Sequence, residues 1–312
     1  MLAIILSGCE WVVMEPSGDV ARQEAQLIWI SVLLMLIVIV PVIVLTLLFA
    51  WKYRESNRAA DYDPDWHHST TLEIIIWTVP LIIIMVLGGI TFVATHRLDP
   101  YAPLSRIDAN TPVTEETRTL EIEVVSLDWK WLFLYPEQGV AVVNELAAPV
   151  DRPIRFKITS GSVMNSFYIP ALAGQIYAMS GMETLLHAVI NEPGVYDGFS
   201  GNYSGHGFSH MYFKFHGMDD AGFDAWIEKV RANGGALTED RYIELEEQTT
   251  KHPVVYFGSV QEDLYHDILN RCVAGRDVCI DEQMKHRSID HKQQAQGQDA
   301  HEQQGHDQHA QK

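Results

Sequence analysis

Between residues 199 and 213 the chain reads FSGNYSGHGFSHMYF, placing His206, His210 and Met211 among glycines and small polar residues. Imidazole nitrogens and a thioether at short intervals are donors that hold a transition metal, copper in particular. His216 and Met218 follow closely and would enlarge a mononuclear set. The loop contains no cysteine and no carboxylate. If the segment after it is a strand, side chains alternate across the sheet, and Met211 faces away from His210 and His216. Surface histidines are therefore the expectation, with no metal bound in this chain.

Two other kinds of reactive residue stand apart from this loop. Glu73 is a carboxylate at the start of an apolar run, a place the helix macrodipole favours. Cysteines occur only at 9, 272 and 279. LSGC, residues 6 to 9, resembles the processing site of bacterial lipoproteins, in which Cys9 would carry the acyl chains. The stretch before it, MLAIIL, is short for a signal peptide and has no basic residue, as in a shortened start.

The elements that position these residues are of two materials. LIWISVLLMLIVIVPVIVLTLLFAW, 27 to 51, and IIIWTVPLIIIMVLGGITFVAT, 74 to 95, carry no charge. At about 1.5 Å per residue either run covers a hydrocarbon core of about 30 Å, and neither has the polar stripe of a soluble helix. Residues 27–95 are thus expected to form a transmembrane hairpin, tolerant of Pro41 and Pro80. Lys52, Arg54 and Arg58 lie in the connection, whereas the outer flanks offer Arg22 and Arg97. The positive-inside bias puts the connection in the cytoplasm and both ends outside. In that oxidising compartment Cys272 and Cys279 form either a local disulfide or two free thiols.

Residues 96–117 read as a linker, and period-two alternation follows. Leu120, Ile122 and Val124 alternate with glutamates, and Ile154, Phe156 and Ile158 with Arg155, Lys157 and Thr159. Short strands at such spacing predict an external antiparallel β-sandwich over 118–217, so the class is an α+β membrane protein. A helical extension is expected over 218–282. Asp219 or Asp220 caps its first helix, Thr238 to Gln248 forms a charged one, and Ser259 with Glu262 makes a capping box. Residues 283–312 have the composition of a disordered His/Gln-rich tail. A formal net charge of −19 argues against nucleic acid as a partner.

Four stretches together carry a resemblance. They are LEIIIWTVP (72–80), VVSLDWKWLFLYPEQGVAVVNE (124–145), MNSFYIPALAGQIYAMSGM (164–182) and DGFSGNYSGHGFSHMYFKF (197–215). With the lipoprotein cysteine, the two spans and the sandwich, they resemble subunit II of the haem–copper terminal oxidases, over roughly residues 1 to 230. That resemblance implies a cupredoxin-like domain. In the cytochrome c oxidase branch the domain holds a dinuclear copper centre on the motif Cys-x-Glu-x-Cys-Gly-x-x-His-x-x-Met, plus an earlier histidine. Laid on this chain, the cysteines fall at Ser200 and Ser204, the glutamate at Asn202 and the histidines at Phe208 and Asn165. Gly205 and Met211 are kept. Two copper ions bridged by thiolates need soft donors, which serine and phenylalanine are not.

The losses are similar to those of the quinol oxidase branch, the cytochrome bo-type ubiquinol oxidases. What the resemblance implies is a non-redox subunit on the outer face of a bacterial inner membrane. Its partners would be subunit I, smaller subunits, membrane lipid and, for the whole complex, quinol, with haems and copper in subunit I. Glu73 would stand near the entrance of a proton pathway. Trp129 matches a tryptophan that passes electrons to copper in the other branch; here Trp129 and Trp131 are expected to be packing residues. The alternatives are a copper-bearing cytochrome c oxidase subunit II and a free-standing membrane-anchored cupredoxin-like lipoprotein.

Overall fold

The two apolar runs form long helices in the computed structural model, which describes residues 11–60, 65–275 and 278–285. Helix α1 spans Asp19–Lys52 and α2 spans Thr70–Arg97, both long and apolar enough to cross a membrane. Ser69 caps α2 by accepting a hydrogen bond from the Leu72 amide. Buried residues of α1 are confined to Asp19, Val20, Ala21 and Ala25, and α2 has none. The apolar stretches therefore face outward, as lipid or a partner chain requires. The first two turns of α1 instead belong to the external domain. Ser17 and Gly18 donate their amides to the Ala171 carbonyl, and Asp19 is gripped by Arg106.

The external domain is a sandwich of two sheets. Its strands are β1 (Leu120–Leu127), β2 (Lys130–Tyr135), β3 (Val140–Val143), β4 (Glu145–Pro149), β5 (Ile154–Ser160) and β6 (Asn165–Tyr168). They continue with β7 (Ile176–Ala178), β8 (Thr184–Ala188), β9 (Gly194–Ser200), β10 (Tyr212–Met218), β11 (Gly235–Leu237) and β12 (Val255–Val260). The seven-stranded sheet runs β11-β12-β3-β2-β1-β5-β8, and the five-stranded sheet β4-β10-β9-β6-β7. Most neighbours are antiparallel, as the alternation predicts. The pairs β1–β5, β4–β10 and β11–β12 run parallel: the chain visits other strands between the members of the first two, and a helix, Glu239–Glu246, lies between β11 and β12.

Between the sheets lies an aromatic core in which the Phe167 and Phe213 rings stack 5.5 Å apart and Trp131 meets Phe167 edge-on at 5.4 Å. β2 is buried along its whole length rather than on alternate residues. Trp131, Phe133 and Tyr135 enter the inter-sheet core, and Leu132 and Leu134 enter a second core on the other face. That second core is closed by residues from α4 (Glu239–Glu246) and α5 (Leu264–Leu269), including Tyr242, Leu245, Leu264 and Ile268.

The C-terminal segment therefore departs from an all-helical extension. Helix α3 (Asp220–Asn233) is capped by Asp219, one of the two caps its sequence offers, and the charged helix α4 is capped by Thr238, a role its sequence reading leaves unassigned. Two strands, β11 and β12, nevertheless lie among the helices and extend the larger sheet, β12 pairing with β3. The expected capping box at Ser259 does not form. Ser259 lies inside β12, whose residues VYFGSV favour strand, and α5 begins after Asp263 in the left-handed region at φ 59°. The linker, too, is more than a spacer. Arg106 pairs as a bridge with Pro112 and binds Asp19, and Pro100 accepts from the His187 amide.

Candidate functional site

The 199–213 loop joins β9 to β10 over the end of the sandwich, and β6 lies beside β9 with Phe167 opposite Ser200. This pairing brings Asn165, Ser200 and Met211 together, all three buried. Ser200 Oγ is 3.0 Å from Asn165 Oδ1 and 3.2 Å from the Asn202 carbonyl. The Asn165 and Asn202 amide nitrogens donate to the carbonyls of Val163 and Met164. The Ser200 amide bonds the Met211 carbonyl at 3.3 Å, tying the two ends of the loop. Ser204 Oγ is buried without a hydrogen-bond partner among the described residues. Phe208 lies in a short 3-10 turn, Phe208–His210, its ring 5.6 Å from that of Tyr203.

Trp129 holds this loop from beneath. Its indole Nε1 donates to the Ser204 carbonyl at 2.9 Å. The ring packs so closely that a Cβ added at Gly207 would sit 2.4 Å from indole carbons. Gly205 adopts φ +110°, where a side chain would be strained and would also meet this ring. Trp129 is thus a packing residue 8% exposed, and Trp131 is fully buried. Next to it stands Lys130, completely buried, a position the sequence pattern does not signal. Its ammonium donates to the carbonyls of Asp128 (3.0 Å) and Glu247 (2.8 Å) and to Thr249 Oγ1 (2.7 Å). Burial pulls it down to about 8, against the opposing attraction of Asp128 and Glu247.

The histidines do not converge. His206 and His210 are exposed, and the His206 ring lies 6.4 Å from Trp129. His216 is half-buried, 4.0 Å from Glu145, five residues or about 17 Å along the strand from Met211. Met218 is further still. Glu73 stands in the first turn of α2, its Oε1 3.3 Å from His68 Nε2, with both side chains more than half exposed. Cys272 and Cys279 are joined by a disulfide, S–S 2.08 Å. Cys9 and the tail beyond 285 lie outside the described residues.

A β-sandwich behind two long apolar helices has the build of a membrane-anchored, cupredoxin-like oxidase subunit. The family model for the cytochrome c oxidase subunit II periplasmic domain matches residues 120–217, and that for the COX aromatic-rich motif matches 231–276. The cytochrome bo(3) ubiquinol oxidase subunit 2 of Pseudomonas aeruginosa is 51% identical over 86% of this chain and 78% of its own length. The ubiquinol oxidase subunit 2 of Acetobacter aceti is 50% identical over 86% of this chain and 84% of its own. The periplasmic domain of subunit II of cytochrome oxidase of Bradyrhizobium japonicum is 23% identical, with a TM-score of 0.34, covering 35% of this chain and 91% of that one. The chain belongs to the ubiquinol oxidase subunit 2 family, and it is therefore one component of an oxidoreductase complex.

Proposed function

We propose that this chain is the non-redox subunit II of a proton-pumping quinol oxidase, one that oxidises quinol, reduces oxygen to water, and keeps its haems and copper in subunit I. The observation that carries this reading is the donor set of the loop. Where the dinuclear motif needs two thiolates, a glutamate and two imidazoles, this chain has Ser200, Ser204, Asn202, Phe208 and Asn165. Serine hydroxyls are hard donors that stay protonated at neutral pH, and a phenyl ring has no lone pair. Asn165 and Ser200 moreover direct their polar atoms at each other. These residues do not fit a dinuclear copper centre, and no electron step runs through one.

The chemistry of the donor agrees. A water-soluble electron carrier must deliver to a relay outside the membrane, whereas quinol is lipid-soluble and reaches a haem-bearing subunit within the bilayer. The chain then contributes position. Its two helices cross the inner membrane against subunit I, the basic connection lies in the cytoplasm, and the sandwich covers the outer face. Cys9 carries a lipid anchor, and Glu73 stands at the entrance of a proton pathway. Purification in mild detergent tests the reading. Haem and a large partner should co-purify, and quinol but not reduced cytochrome c should drive oxygen uptake. A haem-free monomer, or uptake driven by cytochrome c, would overturn it.

A further inference from the structure

Two cavities meet where the helices leave the membrane. One is an apolar groove of about 580 Å³ between α1 and α2, lined by Leu27, Ile30, Val86, Gly89 and Val93 among others. The other, about 520 Å³, lies above it beneath the sandwich and is polar, with Glu24, His96, Asp99 and Gln175 in its wall. Gln23, Arg97 and Leu98 line both, so the two adjoin at these three residues. The junction coincides with the membrane boundary, since Leu27 opens the first uncharged run and Thr95 closes the second. From Arg97 down to Met85, which lines the groove floor, is twelve residues, about 18 Å of helix. Half of a hydrocarbon core is about 15 Å. The groove is as deep as one leaflet.

Charge selects the occupant. Arg97 is exposed and makes no ion pair among the described residues, whereas Arg106 in the same wall is held by Asp19. Glu24 and Asp99 supply negative charge in the same polar cavity. One cation for a phosphate and nearby carboxylates for an ammonium match a zwitterionic headgroup above an acyl chain. We propose that this space binds one outer-leaflet phospholipid of the phosphoethanolamine class, with phosphate at Arg97 and an acyl chain between α1 and α2. A quinol ring has no charge for these groups, and a diacyl anchor on Cys9 has no phosphate. The inference rests on α1 and α2 being membrane spans, and it is independent of the electron donor.

The test uses the intact oxidase, reconstituted with a phosphatidylethanolamine carrying a diazirine on its acyl chain and mapped by peptide mass spectrometry after illumination. Label should concentrate on residues 85–93 of α2. Gly89 lines the groove and a Cβ there meets nothing within 4 Å, so Gly89→Leu extends a side chain into the groove and suits a helix better than glycine. It should abolish the label there. Arg97→Gln removes a charge-assisted contact and should lower labelling about tenfold. Haem content and quinol-driven oxygen uptake should be unchanged in both variants, which separates this result from the fate of the proposed function. Label on 85–93 no stronger than on other outward positions of α2, or undiminished in Gly89→Leu, would overturn the site. Equal labelling by a phosphate-free diacylglycerol probe would overturn the headgroup assignment.

Discussion

Replacing Lys130 by methionine exposes what holds the aromatic strand beneath the loop. The Lys130 ammonium is fully buried and makes three hydrogen bonds, two of them to the 247–249 segment. Its removal leaves the Glu247 and Asp128 carbonyls and the Thr249 hydroxyl without this donor, at roughly 1–3 kcal/mol for each that water cannot reach. Against that, methionine lifts the penalty of a buried charge. The two effects separate by pH. Below about 8 the lysine is protonated in both the folded and the unfolded chain, so stability is flat with respect to this group. Between about 8 and the ordinary 10.5 the unfolded chain holds more protons than the folded one, and stability rises with pH. The full rise is about 3 kcal/mol. Urea unfolding of the detergent-solubilised chain, followed by tryptophan fluorescence at pH 7 and pH 10, measures it. The wild type should gain on Lys130→Met by up to that amount as pH rises. A difference that stays constant, or that narrows, would refute the reasoning.

Asp19→Ala removes two bonds to Arg106 and one from Gln23 at the joint between helix and sandwich. A broken buried pair costs about 3–5 kcal/mol, less here because Arg106 is 38% exposed, and faster hydrogen exchange over 98–117 should report it. Gly207→Ala forces the Trp129 indole off the loop, costing about 1–3 kcal/mol and shifting tryptophan emission to the red. Serine at both Cys272 and Cys279 opens a short loop worth about 2–3 kcal/mol, and exchange should quicken around α5 while β1 to β10 stay protected. Glu73→Gln should lower protons pumped per oxygen in reconstituted vesicles while the complex still assembles; unchanged pumping would remove Glu73 from the pathway.

The legible parts of this molecule are those with a local period. The uncharged runs became α1 and α2, and the alternation at Leu120 and Ile154 became the adjacent strands β1 and β5. Asp219 was legible as a cap because capping is a four-residue event. What stayed hidden depends on distant partners. Val255 pairs with Val143 across more than a hundred residues, so a strand among helices looks like part of a helical arm. Burial of Lys130 needs carbonyls from 247 and 128 at once, and Arg106 in an apparent linker finds Asp19 only after folding. The loop was legible in a different way. Its residues name the missing donors, while the geometry supplies the Asn165–Ser200 contact and the Trp129 floor.

The copper content of this subunit tests the central claim most directly. The chain, purified in detergent, is loaded with excess copper, desalted and measured by elemental analysis and visible absorption. The donor set Asn165, Ser200, Asn202, Ser204, Phe208 and Met211 predicts no stoichiometric copper and no thiolate-to-copper absorption band. Two copper ions retained per chain, with that band present, would contradict it.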